Sequence, residues 1–340
     1  MSRLQVEPAG LARVEGSIAG AADARRTWDH RATLELRLRS EFGVATGEAA
    51  PLPGYSSDTL DEVGGALSRL GPMVLDLTAP LESIEAELRR IPAALPSARF
   101  ALEQALLELA AEALELGSEV LLAPRTPDAT GAPSEMPRVA EALFSLEGAT
   151  EEARSLEAEG WTALKLKVGR PGAFEAERRV VGEVRRVFGG ELRLDANQAF
   201  EEDMQAKLHG LRGLGVDLLE EPAPVESWWA VHELERDPRI ALDESLRRSD
   251  ARDRLETWAP RIGALVLKPT VLGGALAALE WARAGAALGI PSMVSHTHEG
   301  PRASAALRSL ARALPASGPA HGLGRLRGGE PRLPPEERFR

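Results

Sequence analysis

Lys165, Lys167, Asp195, the pair Glu220 and Glu221, the pair Asp243 and Glu244, and Lys268 each stand near the C-terminal end of a short apolar run. They recur about every 25 residues, the length of one strand-plus-helix unit. Strands of a parallel sheet are buried on both faces, so ionisable side chains within them need a partner or a function. Three carboxylates from consecutive strands, with neither cysteine nor histidine among them, make an all-oxygen donor set suited to a hard cation such as Mg2+. Lysines flank the set on both sides. Together these groups suit removal of a proton next to a carboxylate: a cation stabilises the second negative charge as it develops, and a neutral lysine takes the proton. A lattice of buried ion pairs, or an Asx turn at Asp195-Ala196-Asn197, would explain single members of the set. Neither explains a repeat in step with the strand-helix beat.

Alternation along each run says which groups share a face. In 162–168, Leu164, Leu166 and Val168 alternate with Lys165 and Lys167, a pattern that in isolation also fits a strand with one wet face. In 192–197, Leu192, Leu194 and Ala196 meet the helices and turn Arg193, Asp195 and Asn197 inward. Leu242 outward leaves Asp243 and Ser245 inward, and Leu265 and Leu267 outward leave Lys268 inward. Glu220 and Glu221 are not separated this way, because Leu218 and Leu219 before them are equally apolar.

The elements that must position these groups alternate regularly. Strands are expected near 143–146, 163–168, 192–197, 218–221, 240–245, 264–269, 292–296 and 320–323, with helices at 151–159, 174–187, 205–211, 228–236, 251–257 and 275–288. Seven or eight such units close into a barrel of parallel strands wrapped by helices, whose C-terminal rim carries the active site. An open doubly wound sheet would normally offer a glycine-rich phosphate turn after its first strand, and no G-x-G-x-x-G stands there. Upstream the beat is irregular: a half-buried strand at 33–39, a Gly/Pro loop at 47–56 and helices at 58–70 and 97–116. The expected fold is therefore α/β, a modified TIM barrel of (β/α)7β type over 126–327, behind an α+β capping domain over 1–125. The stretch 124–137 is the linker candidate, and a polar, proline-rich tail at 328–340 lies loose or across the cap.

The chain has 340 residues, 44% hydrophobic and 27% charged, with a net charge of -11 and no cysteine. No apolar run is long enough to cross a bilayer, and the first residues lack the apolar core of a signal peptide, so the cytoplasm is the expected compartment. The acidic balance argues against a nucleic-acid partner, and missing cysteine excludes disulfides and thiolate chemistry. Gly273-Gly274 before the helix at 275 reads either as a tight turn or as an anion site at a helix N-terminus. Tyr55, the single tyrosine, lies in the 47–56 loop, where it either closes over a substrate or packs. His296 and His298 lack a third ligand for a zinc site. No oligomeric state follows from the sequence.

On these residues the chain resembles the enolase superfamily, and within it the o-succinylbenzoate synthases. The matching segments are Lys165-Leu166-Lys167, Leu192-Arg193-Leu194-Asp195-Ala196-Asn197, Leu219-Glu220-Glu221-Pro222, Leu242-Asp243-Glu244-Ser245-Leu246 and Leu267-Lys268-Pro269-Thr270, together with the 47–56 loop. The resemblance implies Asp195, Glu220 and Asp243 as ligands of Mg2+, with Mn2+ as an alternative ion. It makes Lys167 the base and acid, with Lys165 beside it, and sets Lys268 on the opposite face of a small-molecule carboxylate substrate. A lysine base with Mg2+ holding an enediolate is a general pattern of this superfamily. Arg193 and Asn197 are then supporting residues. The implied reaction is syn-dehydration of 2-succinyl-6-hydroxy-2,4-cyclohexadiene-1-carboxylate to 2-succinylbenzoate, a step of menaquinone synthesis, through a metal-stabilised enediolate. Racemisation of N-succinylamino acids or epimerisation of dipeptides is the alternative within the superfamily, and a non-catalytic carboxylate binder the alternative outside it. One segment departs from the synthase pattern: a serine-rich stretch often helps receive the succinyl chain, and here Ser295, His296 and Thr297 stand in its place.

Overall fold

The computed structural model of the chain describes residues 2–22, 26–127, 140–143, 145–229 and 237–324. The N-terminal part holds β1 (Arg3–Ala22), β2 (Thr27–Ser40), β3 (Gly43–Ala49), α1 (Leu60–Leu67), β4 (Met73–Asp76), α2 (Pro80–Leu88), α3 (Pro96–Ala113) and α4 (Ser118–Leu122). Its antiparallel sheet has the order β3-β2-β1-β4. β1 and β2 form a long ribbon, paired from Glu7↔Arg39 to Ala22↔Thr27, with a register shift between Pro8 and Gly10. The ribbon leaves most of β1 exposed, so it lacks the apolar alternation that would mark it in sequence. α3 is buried nearly all round against this sheet and the rest of the molecule. α1 starts on a reciprocal capping box between Thr59 and Glu62 and is shorter than the expected 58–70.

The 47–56 segment is not a loop throughout: its first three residues are the end of β3. Gly47 is there because the strand presses on α3, and a Cβ would overlap the Ala101 carbonyl.

From Glu141 onward strands and helices alternate: β5 (Glu141–Leu143), α5 (Ala149–Ala158), β6 (Ala163–Lys167), α6 (Phe174–Val187), β7 (Glu191–Asp195), α7 (Met204–Leu211), β8 (Leu218–Glu220), α8 (Val225–Trp229), β9 (Arg239–Leu242), α9 (Ala251–Trp258), β10 (Ile262–Leu267), α10 (Pro269–Leu272), α11 (Ala275–Ala287), β11 (Ser292–Val294) and α12 (Pro301–Ala313). The seven strands are parallel and ordered by sequence. The eighth stave closes the ring: Gly322 N donates to Val294 O at 2.8 Å, and Ala140 N donates to His321 O at 2.6 Å. The fold is thus the (β/α)7β barrel with an α+β cap. Among the described residues no helix is long and apolar enough to cross a membrane.

Two expected strands shift. The first strand lies at 141–143 rather than 143–146, and the fifth ends at Leu242 because Glu244–Arg247 turn into a 3-10 helix. α12 is absent from the sequence reading because its buried face uses Ala303, Ser304 and Ala311 beside only two leucines, a weak hydrophobic stripe. The helix expected at 228–236 falls largely outside the described residues, as do most of the 124–137 linker and the 328–340 tail.

Inside the barrel, Leu218, Ala241, Ala264, Val266 and Met293 form a small cluster of their own, while Leu219, Leu242, Leu265 and Leu267 join the large core under the helices. Alternation along each stave therefore separates lumen from outer face. Small lumen residues leave room for long polar side chains above them.

Two glutamates fasten the cap to the barrel. α11 and α12 each begin after a glycine, Gly274 and Gly300, that offers no capping side chain. Glu103 of α3 accepts from the backbone N–H of Ala275 and, at 2.9 Å, of Leu276. Glu48 of β3 accepts from Gly300 N at 2.6 Å and Ala303 N at 3.3 Å. The anion at Gly273-Gly274 is thus supplied by the chain itself, through Glu103. Capping of this kind stabilises by about 1 kcal/mol per helix end. Burial pushes the Glu103 carboxyl up to about 7 from 4.5, further than the Leu276 and Ala275 amides pull it down. Between those values the folded chain holds a proton that the unfolded chain has released, so this contribution to stability falls as pH rises through the window. In urea titrations, the stability of wild type relative to Glu103→Gln is expected to decline from pH 4.5 to 7.5; a pH-independent difference would show that Glu103 ionises normally.

Candidate active site

Adjacent staves bring the polar groups to one rim. Lys167, Asp195 and Glu220 are register partners across β6, β7 and β8. Glu220 pairs onward with Ala241 of β9, and Asp243 lies two residues further on, at the start of the 3-10 turn. Lys268 follows β10 directly. Counted from β5, Lys167 stands on the second stave and Lys268 at the end of the sixth, on opposite sides of an eight-stave ring. All lie at the C-terminal ends of their strands, the reactive rim of such barrels. The choice that alternation left open is resolved by Leu218, whose place in the lumen cluster puts Glu220 on the same inner face. Glu221 instead accepts from Ser245 Oγ and, at 2.7 Å, from Asp243 N, and so braces the next turn.

Lysine ammoniums bridge the three carboxylates. Lys165 Nζ is 2.9 Å from Asp195 Oδ2 and 3.4 Å from both Glu220 oxygens. Lys268 Nζ donates to Asp243, lies 3.0 Å from the Tyr55 hydroxyl and stands 3.9 Å from Glu220. Lys167 Nζ donates to Asp195 Oδ2 at 2.6 Å and to Asn197 Oδ1 at 2.8 Å. Burial would raise Asp195, but Lys165, Lys167 and Lys268 outweigh it and hold that carboxyl well below its usual range. Glu220 goes the other way, up to about 7, through burial and then the neighbouring Asp195 charge. Burial and Glu244 raise Asp243. Burial alone would lower Lys165 and Lys268, yet Asp195 and Glu220 raise the first, and Asp243, Tyr55 and Glu220 raise the second.

A carboxyl driven up to about 7 marks a place short of positive charge, and carboxylate oxygens are the ligands a hard divalent cation takes. Among the described residues no three carboxylates already stand at ligand spacing; ammonium groups occupy the gaps. By the chemistry of the donor set, Asp195, Glu220 and Asp243 fit such an ion.

Asn197 sits at φ +42°, in the left-handed region that asparagine tolerates. Its Nδ2 donates to Glu244 Oε1 at 3.2 Å, which fixes the amide so that Oδ1 faces Lys167. The sequence places Glu244 beside Asp243 but assigns it no role, because strand alternation ends at the 3-10 turn. Arg193 is one level deeper, in register with Lys165 and Leu218, and its guanidinium pairs with Glu191 at 2.6 Å.

A cleft with about 760 Å³ of space, its open mouth included, lies above these groups. The cap contributes Trp28, Leu52 and Tyr55, and the barrel adds Val266, Met293 and residues 295–298. Tyr55 is wedged between the barrel groups, with the Arg247 guanidinium 4.6 Å from its ring. Burial and Asp243 push its hydroxyl pKa well above the usual value. The two histidines face each other edge-on rather than sharing a ligand position: His298 N donates to His296 Nδ1 at 3.1 Å. Trp28 was missed in sequence because it stands in the ribbon.

Residues 148–324 match the model of the enolase C-terminal domain-like family. The structure is similar to an N-succinyl Arg/Lys racemase from Bacillus cereus ATCC 14579, with 18% identity, a TM-score of 0.79 and coverage of 96% of this chain and 89% of that one. It is also similar to a dipeptide epimerase from Enterococcus faecalis V583, complexed with Mg and the dipeptide L-Leu-L-Tyr, with 22% identity, a TM-score of 0.78 and coverage of 94% and 90%. Both likenesses concern the fold. Among curated proteins, 146 residues are 37% identical to Protein PHYLLO, chloroplastic, of Arabidopsis thaliana; the match covers 39% of this chain and 8% of that protein.

Mg2+ is expected to raise the thermal midpoint of the protein as its concentration rises, by the equivalent of about 2.7 kcal/mol at a hundred times Kd. Asp243→Asn should abolish most of that shift; a shift equal to wild type would remove Asp243 from the ligand set.

Proposed function

The chain belongs to the enolase superfamily, and from that premise we propose that it dehydrates 2-succinyl-6-hydroxy-2,4-cyclohexadiene-1-carboxylate to 2-succinylbenzoate. The observation that carries this reading is the charge of the cleft wall: among the described residues lining it, Glu220 is the only carboxylate, beside Lys165, Lys167, Arg193 and Lys268. With Glu220 assigned to the metal, nothing else on that wall offers a counter-ion for a free ammonium. That favours a substrate with carboxylates and no amine over an unprotected dipeptide.

Mg2+ held by Asp195, Glu220 and Asp243 would supply positive charge to the substrate carboxylate as its neighbouring proton leaves. Lys167 takes that proton at Nζ from one face and returns it from the same atom to the departing hydroxyl, giving syn elimination of water. Asn197 Oδ1 holds Lys167 Nζ in place, itself oriented by Glu244. Lys268, enclosed by Asp243, Tyr55 and Glu220, keeps its charge and stabilises the intermediate from the opposite staves. Trp28, Leu52, Val266 and Met293 give the cleft apolar walls that exclude water from the reacting atoms.

A second reading, racemisation of N-succinylamino acids, is supported by the same uncharged-amine requirement and by the two lysines on opposite staves. A racemase of this kind needs Lys268 as a second base, whereas the dehydratase needs it only as a cation.

With Mg2+ present, the wild type should consume the diene absorbance of the cyclohexadiene substrate. Lys167→Ala and Lys268→Ala should each slow this by roughly 10²- to 10⁴-fold. No turnover by wild type rejects the dehydratase. Nuclear magnetic resonance in D2O then tests the second reading: both enantiomers of an N-succinylamino acid must exchange their α-proton, and retention of either proton rejects it.

A further inference from the structure

The apex of the 47–56 loop is held by three side chains in succession. Trp28 Nε1 donates to the Pro53 carbonyl at 3.1 Å, Arg26 donates to the Gly54 carbonyl, and Arg247 Nη1 donates to the Tyr55 carbonyl at 2.6 Å. The first two donors belong to the cap, in β2 and just before it. Arg247 belongs to the barrel, at the last position of the 3-10 turn Glu244–Arg247 that follows Asp243. It meets Tyr55 twice, because the same guanidinium lies 4.6 Å from the ring centroid.

Both sides of this contact are braced. Tyr55 N and Ser56 N donate to Leu52 O at 3.0 and 2.9 Å, and Leu52 N donates to Ser56 Oγ at 2.9 Å, which closes 52–56 into a compact turn. On the barrel, Leu246 N donates to Asp243 O at 3.0 Å, and Glu221 accepts from Asp243 N and Ser245 Oγ. Arg247 thus reaches from one fixed turn to another. Its planar fork stacks on a ring and donates to a carbonyl at once, which the point charge of a lysine does not reproduce. The ring it grips carries the hydroxyl that accepts from Lys268 Nζ at 3.0 Å and lies 3.4 Å from Asp243 Oδ2. Lys268 Nζ is also 5.2 Å from the ring centroid, so Tyr55 sits between two cations.

We infer that Arg247 is a positioning residue: by gripping the ring and the carbonyl of Tyr55 together, it latches the cap loop to the barrel and sets the Tyr55 hydroxyl against Lys268. The inference does not depend on which carboxylate the protein turns over. Asp243 and Arg247 bound a single turn, so the latch and a rim carboxylate share one rigid element. The position of the cap loop is in this way tied to the rim at the fifth and sixth staves, and not to the cap's own ribbon alone.

Tyr55 is the single tyrosine of the chain, so 3-fluorotyrosine incorporated into the full-length, Mg2+-saturated protein gives one 19F resonance that needs no assignment. In wild type this label is expected to be shielded, with weak broadening by a neutral gadolinium chelate. Arg247→Lys and Arg247→Met should each move the line toward that of free fluorotyrosine and raise the broadening roughly tenfold, the scale of losing one hydrogen bond from a charged group. Arg252→Met, which removes a guanidinium 4.3 Å from the Trp281 ring, should leave the line in place. Arg247 is exposed, so thermal midpoints read alongside should stay near wild type. A line unchanged in position and broadening in both Arg247 variants overturns the inference, as does a wild-type label already open to the chelate. An Arg247→Lys protein indistinguishable from wild type also overturns it, because charge alone would then hold the loop. A line displaced only together with a collapse of the thermal midpoint would make Arg247 a residue of the fold and refute the positioning role.

Discussion

Carboxylates buried on neighbouring strands repel one another at short range, and the barrel rim is built around answering that repulsion with cations. Strands a few ångströms apart fix Asp195 and Glu220 side by side in register, so the negative charge cannot be dispersed by moving the backbone. Lys165 and Lys268 are threaded between the acids, and Lys167 is tied to Asp195 and Asn197. In a medium of low polarity, removing one partner of such a pair leaves an uncompensated charge at a cost of about 3–5 kcal/mol. The lumen reflects this. Alanines at 241 and 264 leave space for lysine stems, and apolar Leu218, Val266 and Met293 fill what remains.

The cap turns this charged rim into a cleft with a partly aromatic wall. Its ribbon and the loop behind β3 bring Trp28, Leu52 and Tyr55 over the strand ends. Arg31 of β2 reaches the Thr297 carbonyl, while Glu48 and Glu103 seat on two barrel helices. Tyr55 links both layers at once, through Lys268 on one side and Arg247 on the other. Cleft-lining groups thus come also from a part of the chain that carries none of the three rim carboxylates Asp195, Glu220 and Asp243, held in place by the contacts of Glu48, Glu103 and Arg31 with the barrel.

The barrel was legible in sequence because its staves repeat: a buried strand with a charge at one end is a pattern that recurs, and recurrence is what separates it from a chance alternation. Asp195, Asn197, Asp243 and Lys268 could be assigned a face from their leucine neighbours alone. Glu220 could not, since the residues before it are uniformly apolar and only the lumen packing of Leu218 breaks the tie. The cap was less legible. β1 is a ribbon with little buried surface, so no hydrophobic period records it. Gly47 read as a loop former but is a point of close packing. Glu244, Glu48 and Glu103 act through partners 47, 252 and 172 residues away in sequence, distances over which local pattern carries no information.

The glycines before α11 and α12 have a bearing on how such a protein can change over generations. A Cβ on Gly300 would come 2.8 Å from both Glu48 oxygens, and one on Gly274 would collide with Glu103. Each glutamate in the cap is therefore matched to a missing side chain in the barrel. A cap recombined onto a barrel whose helices carry their own serine or aspartate caps would bring two carboxylates into occupied sites. Exchange of either half alone would set these carboxylates against side chains, a constraint that the cleft loops bearing His296 and Tyr55 do not carry.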